Sequence, residues 1–193
     1  MQAEDYALVL DFIPNGMPGD YRKTPLTQLI GINHFTLLEA MPKENVDFKT
    51  LEKVYIGKDA RDKINMIKRR ISFKELTSNS NLDIEKAIEK IVMERKDFFL
   101  KFFNESKPMS VKRHQLELLP GIGHKHAQEI IKTREEKPFE SFEDIANRIK
   151  QLPDPVKLIV KRVQEELEEL DKFYIFVRRP AEPFEDRQQF RRY

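Results

Sequence analysis

Leu119-Pro120-Gly121-Ile122-Gly123-His124-Lys125 places two glycines within three residues, between two segments of helical pattern. Upstream, Val111 to Leu118 can form one short helix, with Val111, Leu118 and Leu119 on its apolar side and Ser110 as its N-cap. Downstream, Ala127, Ile130, Ile131 and Arg134 recur at helical spacing, so a second helix begins almost at once. Glycines weaken helices, so this pair serves another end. It lets the chain reverse tightly and lets an anion approach the backbone with no side chain in the way. The amides of the turn and of the following helix N-terminus then form a small electropositive cup, the kind of site that holds a phosphate.

The pattern resembles the helix-hairpin-helix family, whose Leu-Pro-Gly-apolar-Gly hairpin is followed by a small or basic residue and then Ala. Leu119 to Gly123, Lys125 and Ala127 meet those positions. The resemblance implies that the hairpin amides grip a sugar-phosphate backbone, often through a bound monovalent cation, and ignore base identity. No other cofactor is implied. On that reading Gly121, Ile122, Gly123 and His124 form the contact, Ile122 is wedged between the helices, and Lys112, Arg113, Lys125, Lys132 and Arg134 surround the hairpin with positive charge. The plain alternative is an ordinary glycine-rich turn between helices.

Leu152-Pro153 repeats Leu119-Pro120 at an offset of 33 residues, as an internally duplicated hairpin would. One helix leads in, with Ser141 as cap and Phe142, Ile145, Ala146 and Ile149 on its buried side; another leads out, through Val156, Ile159, Val160, Val163 and Leu167. The copy departs from the pattern at the turn, where Asp154, Pro155 and Val156 stand for Gly121, Ile122 and Gly123. A carboxylate repels phosphate and a proline lacks an amide, so the second hairpin is expected to be structural. Glu165, Glu166, Glu168, Glu169 and Asp171 form an acidic helix end expected to face away from nucleic acid.

The N-terminal half reads differently. Tyr6 to Ile13 is rich in strand formers and stops at Pro14-Asn15-Gly16; Leu29 to Ala40 is one long strand or two bent at Gly31; Val54 to Gly57 and Ile71 to Leu76 are further short strands. Short strands over residues 1–78 point to a small barrel like the oligonucleotide-binding (OB) fold, although a β-meander packed on helices gives the same pattern. Lys53 to Lys74 holds eight basic and two acidic residues, the most lopsided charge in the chain. Lys68, Arg69 and Arg70 there are candidate phosphate contacts, weighed against a merely solvated basic face. Tyr55, Phe35 and Phe73 can stack on bases, but each sits among aliphatic neighbours and reads better as core.

Thr77 to Asn81 is polar and marks a candidate domain boundary. A long connecting helix over 82–106 follows, capped by Asp83, with Ile84, Ile88, Ile91, Val92, Phe99, Phe102 and Phe103 on one face. The hairpin pair occupies 109–170, and Phe173 to Val177 reads as a strand, within 173–179, returning to the N-terminal sheet. Residues 180–193 form a tail of arginines and aromatics. The fold class is therefore α+β: an OB-like barrel, a connecting helix, and an all-α tandem helix-hairpin-helix. In this order the whole chain resembles an uncharacterised archaeal family combining such a barrel with the tandem hairpin, described there only as RNA- or nucleotide-binding.

Composition narrows the rest. With 35 basic against 33 acidic residues the net charge is only +2, so the distribution of charge carries the argument. The absence of Cys excludes disulfides, thiolate zinc sites and a cysteine nucleophile. No apolar run approaches a membrane span and the polar start is no signal peptide, so a cytoplasmic protein without a membrane partner is expected. His114, His124 and His126 cluster near the hairpin, but no acidic residue completes a metal-ligand set. The expected function is non-enzymatic, sequence-indifferent binding of DNA or RNA. One alternative is a glycosylase-like repair enzyme, which the resemblance would build from Lys125 and Asp144. Another is a module that binds a protein partner.

Overall fold

The protein, seen as a computed structural model, is described over residues 4–17, 19, 23–111 and 113–179. Five strands, β1 (Tyr6–Ile13), β2 (Leu26–Gly31), β3 (Leu37–Pro42), β4 (Lys53–Tyr55) and β5 (Ile64–Arg70), form one sheet. Their order is β4-β1-β2-β3-β5, with every pairing antiparallel. β4 and β5 are its two edges, so the sheet curls into an open half-barrel instead of closing. Register slips between Val9 and Asp11 on β1 and between Arg69 and Ile67 on β5 leave Leu10 and Lys68 as extra residues. Bulges of this kind bend the strand and sharpen its twist.

Both faces of the sheet are covered. Leu8, Leu10, Ile30 and Leu37 face the helices, while Ala7, Val9, Leu29, Leu38 and Ala40 join Val54, Ile56 and Ile64 on the other side, under Phe48 and Ile67. Leu29 to Ala40 is two strands. The turn between them is pinned by the buried Glu4 carboxylate, which accepts from the amides of Asn33 (2.8 Å), His34 (2.9 Å) and Thr36 (3.3 Å). The strand expected at Ile71 to Leu76 is instead a 3₁₀ turn at Phe73–Glu75, closed by a Ser72/Glu75 capping box. The last strand lies one segment earlier, inside the basic stretch. Its charges hide the strand pattern because it is an edge, where lysines and arginines block further pairing.

The polar segment at 77–81 is a helix start, and Thr77 rather than Asp83 caps it, accepting from the Ser80 amide. That start is stitched to the sheet through Gln28, which is fully buried on β2. Gln28 donates to Glu75 O (2.9 Å) and accepts from Thr77 N (2.9 Å) and Ser80 Oγ (2.8 Å). The connecting helix is two: α1 (Ser78–Glu94) and α2 (Lys96–Glu105), broken at Arg95, whose Nη1 donates to the carbonyls of Ile32 and Asn33.

A small hairpin of β6 (Pro108–Ser110) and β7 (Arg113–His114) precedes a 3₁₀ turn (Gln115–Leu118), α3 (His124–Glu136), α4 (Phe142–Arg148) and α5 (Pro155–Leu167). The apolar face read from the sequence is buried, and one core runs from Leu8 and Ile30 through Ile88 and Phe99 to Ile130, Ile145 and Ile159. The two halves therefore share their interior.

Among the described residues no strand forms at 171–179. The segment does return to the N-terminal half, with Arg178 N donating to His34 O (3.1 Å), but a side chain holds it. The Glu166 carboxylate accepts from the amides of Ile175 (2.9 Å), Phe176 (3.0 Å) and Val177 (2.7 Å), consuming the donors a strand would need. Arg162, only 2% exposed, balances that charge through Glu166 at 2.8 Å and Asp171 at 3.0 Å. Glu166, within the helix end expected to face away from nucleic acid, is a buried fastener.

Candidate nucleic-acid interface

The first arm of the hairpin is the short 3₁₀ turn, not a helix from Val111. Val111 is fully exposed and Ser110 belongs to β6, so neither plays the expected part. His114 starts the turn instead, its Nδ1 accepting from Leu116 N at 3.1 Å. Burial pushes the His114 pKa down, and the nearby Arg134 charge adds to this against Glu117 and the Ser106 backbone. A neutral ring suits the role, since Nδ1 must keep its lone pair to accept. Leu116, Leu118 and Leu119 anchor the arm in the core.

At the turn Gly121 has φ +98°, a conformation that suits glycine, and an added Cβ would lie 3.3 Å from Leu158. Ile122 is buried in the shared core. Its amide, however, donates to Leu119 O at 3.0 Å, so it does not belong to the cup. Gly123 caps α3 with ordinary φ −87° and no side chain, and nothing lies within 4 Å of where its Cβ would be. The first helical bond runs from Ala127 N to Gly123 O. Among the described residues the amides of His124, Lys125 and His126 consequently have no acceptor, as the first turn of any helix dictates. The amides of Gly121 and Gly123 likewise donate to no acceptor among the described residues, so the open donors run from the two glycines into the first turn of α3, with Ile122 excepted.

The surrounding charges divide. Lys125 and Lys132 are exposed, with no ion pair among the described residues. Arg113 is exposed and lies 5.1 Å from the Phe173 ring centroid. His124 Nδ1 is 3.2 Å from Glu117, a carboxylate at the rim that the sequence did not flag. Arg134 is not a surface charge: it donates to Phe103 O (2.7 Å), Ser106 Oγ (3.0 Å) and Ser106 O (2.8 Å), capping the C-terminus of α2. Lys112 lies outside the described residues, as do 180–193 with their arginines and aromatics.

The second hairpin has the opposite local chemistry. Asp154 Oδ1 accepts from Val156 N at 2.8 Å, and Pro155, which opens α5, has no amide to offer, so a carboxylate stands where the first hairpin has a glycine cap. Asp144 sits in the first turn of α4, paired with Arg148 and accepting from Glu140 N, both at 3.1 Å. No cluster of three metal-ligating side chains occurs among the described residues, and none of the described helices is long and apolar enough to cross a membrane.

On β5, Lys68 and Arg70 are exposed, but Arg69 is held by Glu39 (2.8 Å) and by Glu75. The Ser72 amide, with Arg69 and the Ser72 hydroxyl behind it, draws the Glu75 pKa down to about 2. Phe35 is core and Phe73 packs against it. Tyr55 stacks edge-on against Tyr6 at 5.3 Å, and Lys53 lies over that exposed Tyr6 ring. Tyr6 opens a strand whose next residues are buried, so strand patterning alone does not mark it as an exposed aromatic.

Residues 3–178 match the model of a family described as a protein of unknown function. The chain belongs to the DUF655 family. Among its relatives is the uncharacterized protein MJ0038 of Methanocaldococcus jannaschii, 42% identical over 177 residues, covering 91% of this chain and 80% of that one. The crystal structure of Af1531 from Archaeoglobus fulgidus, a DUF655 protein, superposes with a TM-score of 0.85 at 41% identity over 91% of this chain and all of that one. A shorter likeness, 32% identity over 125 residues, links 57% of this chain to 9% of a PolC-type DNA polymerase III of Thermotoga petrophila.

Proposed function

We propose that this DUF655 protein binds nucleic acid through the phosphate backbone, without reading sequence, at the first hairpin. One observation carries the reading: the open amides at the start of α3, with a glycine as cap and empty space where a capping side chain would stand. Three donors converge at the positive end of a 13-residue helix, which favours an anion there. Lys125 and Lys132 add long-range attraction, and Arg113 adds more from β7. The second hairpin is the internal contrast, since its Asp154 carboxylate takes up the Val156 amide and its Pro155 has no amide to give. The local likeness to a polymerase is in keeping with a backbone-binding role. This is the helix-hairpin-helix chemistry with a minimal first arm.

The test is a panel of labelled single- and double-stranded DNA and RNA, measured across a salt series against wild type and Gly123→Asp. Phosphate binding weakens steeply as salt rises. An interface with a protein partner, built on apolar contact, does not. Gly123 is the better position for the substitution because its backbone conformation accepts any residue, whereas Gly121 does not.

A further inference from the structure

The helical layer leaves one corner of the sheet uncovered. There a cavity of about 710 Å³ opens over the start of β2, the end of β3 and the middle of β5. Its size is that of an ordinary small-ligand pocket. Leu26 and Met41 give it apolar walls, and Glu39, Glu75, Lys68 and Arg69 supply its charges. Two features make it more than a gap. Glu39 is 3% exposed, and only its Oε2 is bonded, to Arg69, so Oε1 has no partner among the described residues. The bulge at Lys68 brings Lys68 and Arg69, neighbours that regular pleating would send to opposite faces, to the same cavity.

We infer that this cavity receives one unpaired base of a single-stranded nucleic acid, guanine in preference to uracil, with Glu39 accepting from the base and Lys68 meeting a phosphate. A bare anion would face Glu39 and Glu75, and a bare cation would face Lys68 and Arg69. A nucleotide satisfies both sets, because its base carries N–H donors and its linkage carries the charge. Of the bases, guanine presents two adjacent donors on one edge to a carboxylate, and uracil only one. Met41 and Leu26 supply surfaces for a flat ring, with the thioether sulfur favourable beside an aromatic edge. The cavity shares no described lining residue with the hairpin cup, so the inference, which rests on the proposed nucleic-acid binding, adds base preference to a backbone grip that has none.

The experiment compares labelled ten-nucleotide strands of uridine alone with strands carrying two central guanosines or two central inosines, on the full chain. Alongside, methyl NMR of Leu26 and Met41 follows titration with 5′-GMP and 5′-UMP. Guanosine strands are expected to bind about tenfold tighter than uridine strands, inosine to fall between, and the preference to shrink to about threefold or less in Glu39→Gln. Lys68→Gln weakens all strands together. The two methyls shift with 5′-GMP far more than with 5′-UMP. Equal binding of all strands with silent methyls overturns the inference and leaves the hairpin reading intact. Failure of every strand to bind while 5′-GMP still shifts the methyls does the reverse. Should Glu39→Gln not fold, the wild-type strand series and the methyl shifts decide alone.

Discussion

Replacing Gly123 by Asp separates the two things the hairpin does, because stability and binding should move in opposite directions. Gly123 already has the backbone of an N-cap, and nothing within 4 Å obstructs a new Cβ. An aspartate there accepts from the His-Lys-His amides that now lack an acceptor, worth a few tenths of a kcal/mol over glycine. Its charge at the positive helix end adds about 0.3–1 kcal/mol. The sum, about 0.5–1 kcal/mol, corresponds to a Tm rise of roughly 1–4 °C for a chain of this size. The same carboxylate fills the place a phosphate would take, so affinity for a polynucleotide at low salt should fall by about tenfold or more. Differential scanning fluorimetry reads the first effect and fluorescence anisotropy the second. A variant that gains stability and still holds polynucleotide as tightly as wild type would refute the phosphate cup. One that gains no stability would show that the amides were never open.

Three further outcomes follow from the same geometry. Gly121→Ala should cost about 1–2 kcal/mol, from the left-handed φ and the crowding against Leu158, and so lower Tm by several degrees. Glu166→Ala leaves three interior amides without an acceptor and Arg162 with Asp171 as its remaining close carboxylate, a loss of about 3–5 kcal/mol, and should make the chain near residue 175 the first site of proteolytic cleavage. His114 has a folded-state pKa below its unfolded value, so the unfolded chain binds the proton first. Its contribution is complete above the ordinary histidine pKa and is lost as pH falls from there toward the lower folded value. A Tm that drops on acidification from pH 7 to pH 5, less so in His114→Gln, checks this.

The apolar periodicities of the sequence were readable because a buried helix face announces itself every three or four residues. Ile84 to Phe103 and Val156 to Leu167 are both where that spacing puts them. Edges and buried polar groups were not readable by the same rule. β5 carries its pairing in the backbone and its charges outward, so it resembles a loop. Arg134, Arg162 and Glu166 have the residue types of a surface, and only their distant carbonyl, carboxylate and amide partners reveal that the first is half-buried and the other two internal. The glycine pair marks a turn with open amides, but the Ile122 amide between them is taken by a carbonyl within reach, that of Leu119. Glu39 went unnoticed because a single carboxylate in a strand has no local signature.

Gln28 ties a strand to a helix start that looked like a seam. A side chain that answers three separate groups with no water between them makes that junction a weld. The sheet and the helices after it also share one apolar core, so the hairpin amides and the β5 corner belong to the same packed body. A strand long enough to reach both sites gains from the two at once, whereas a shorter one engages only one of them.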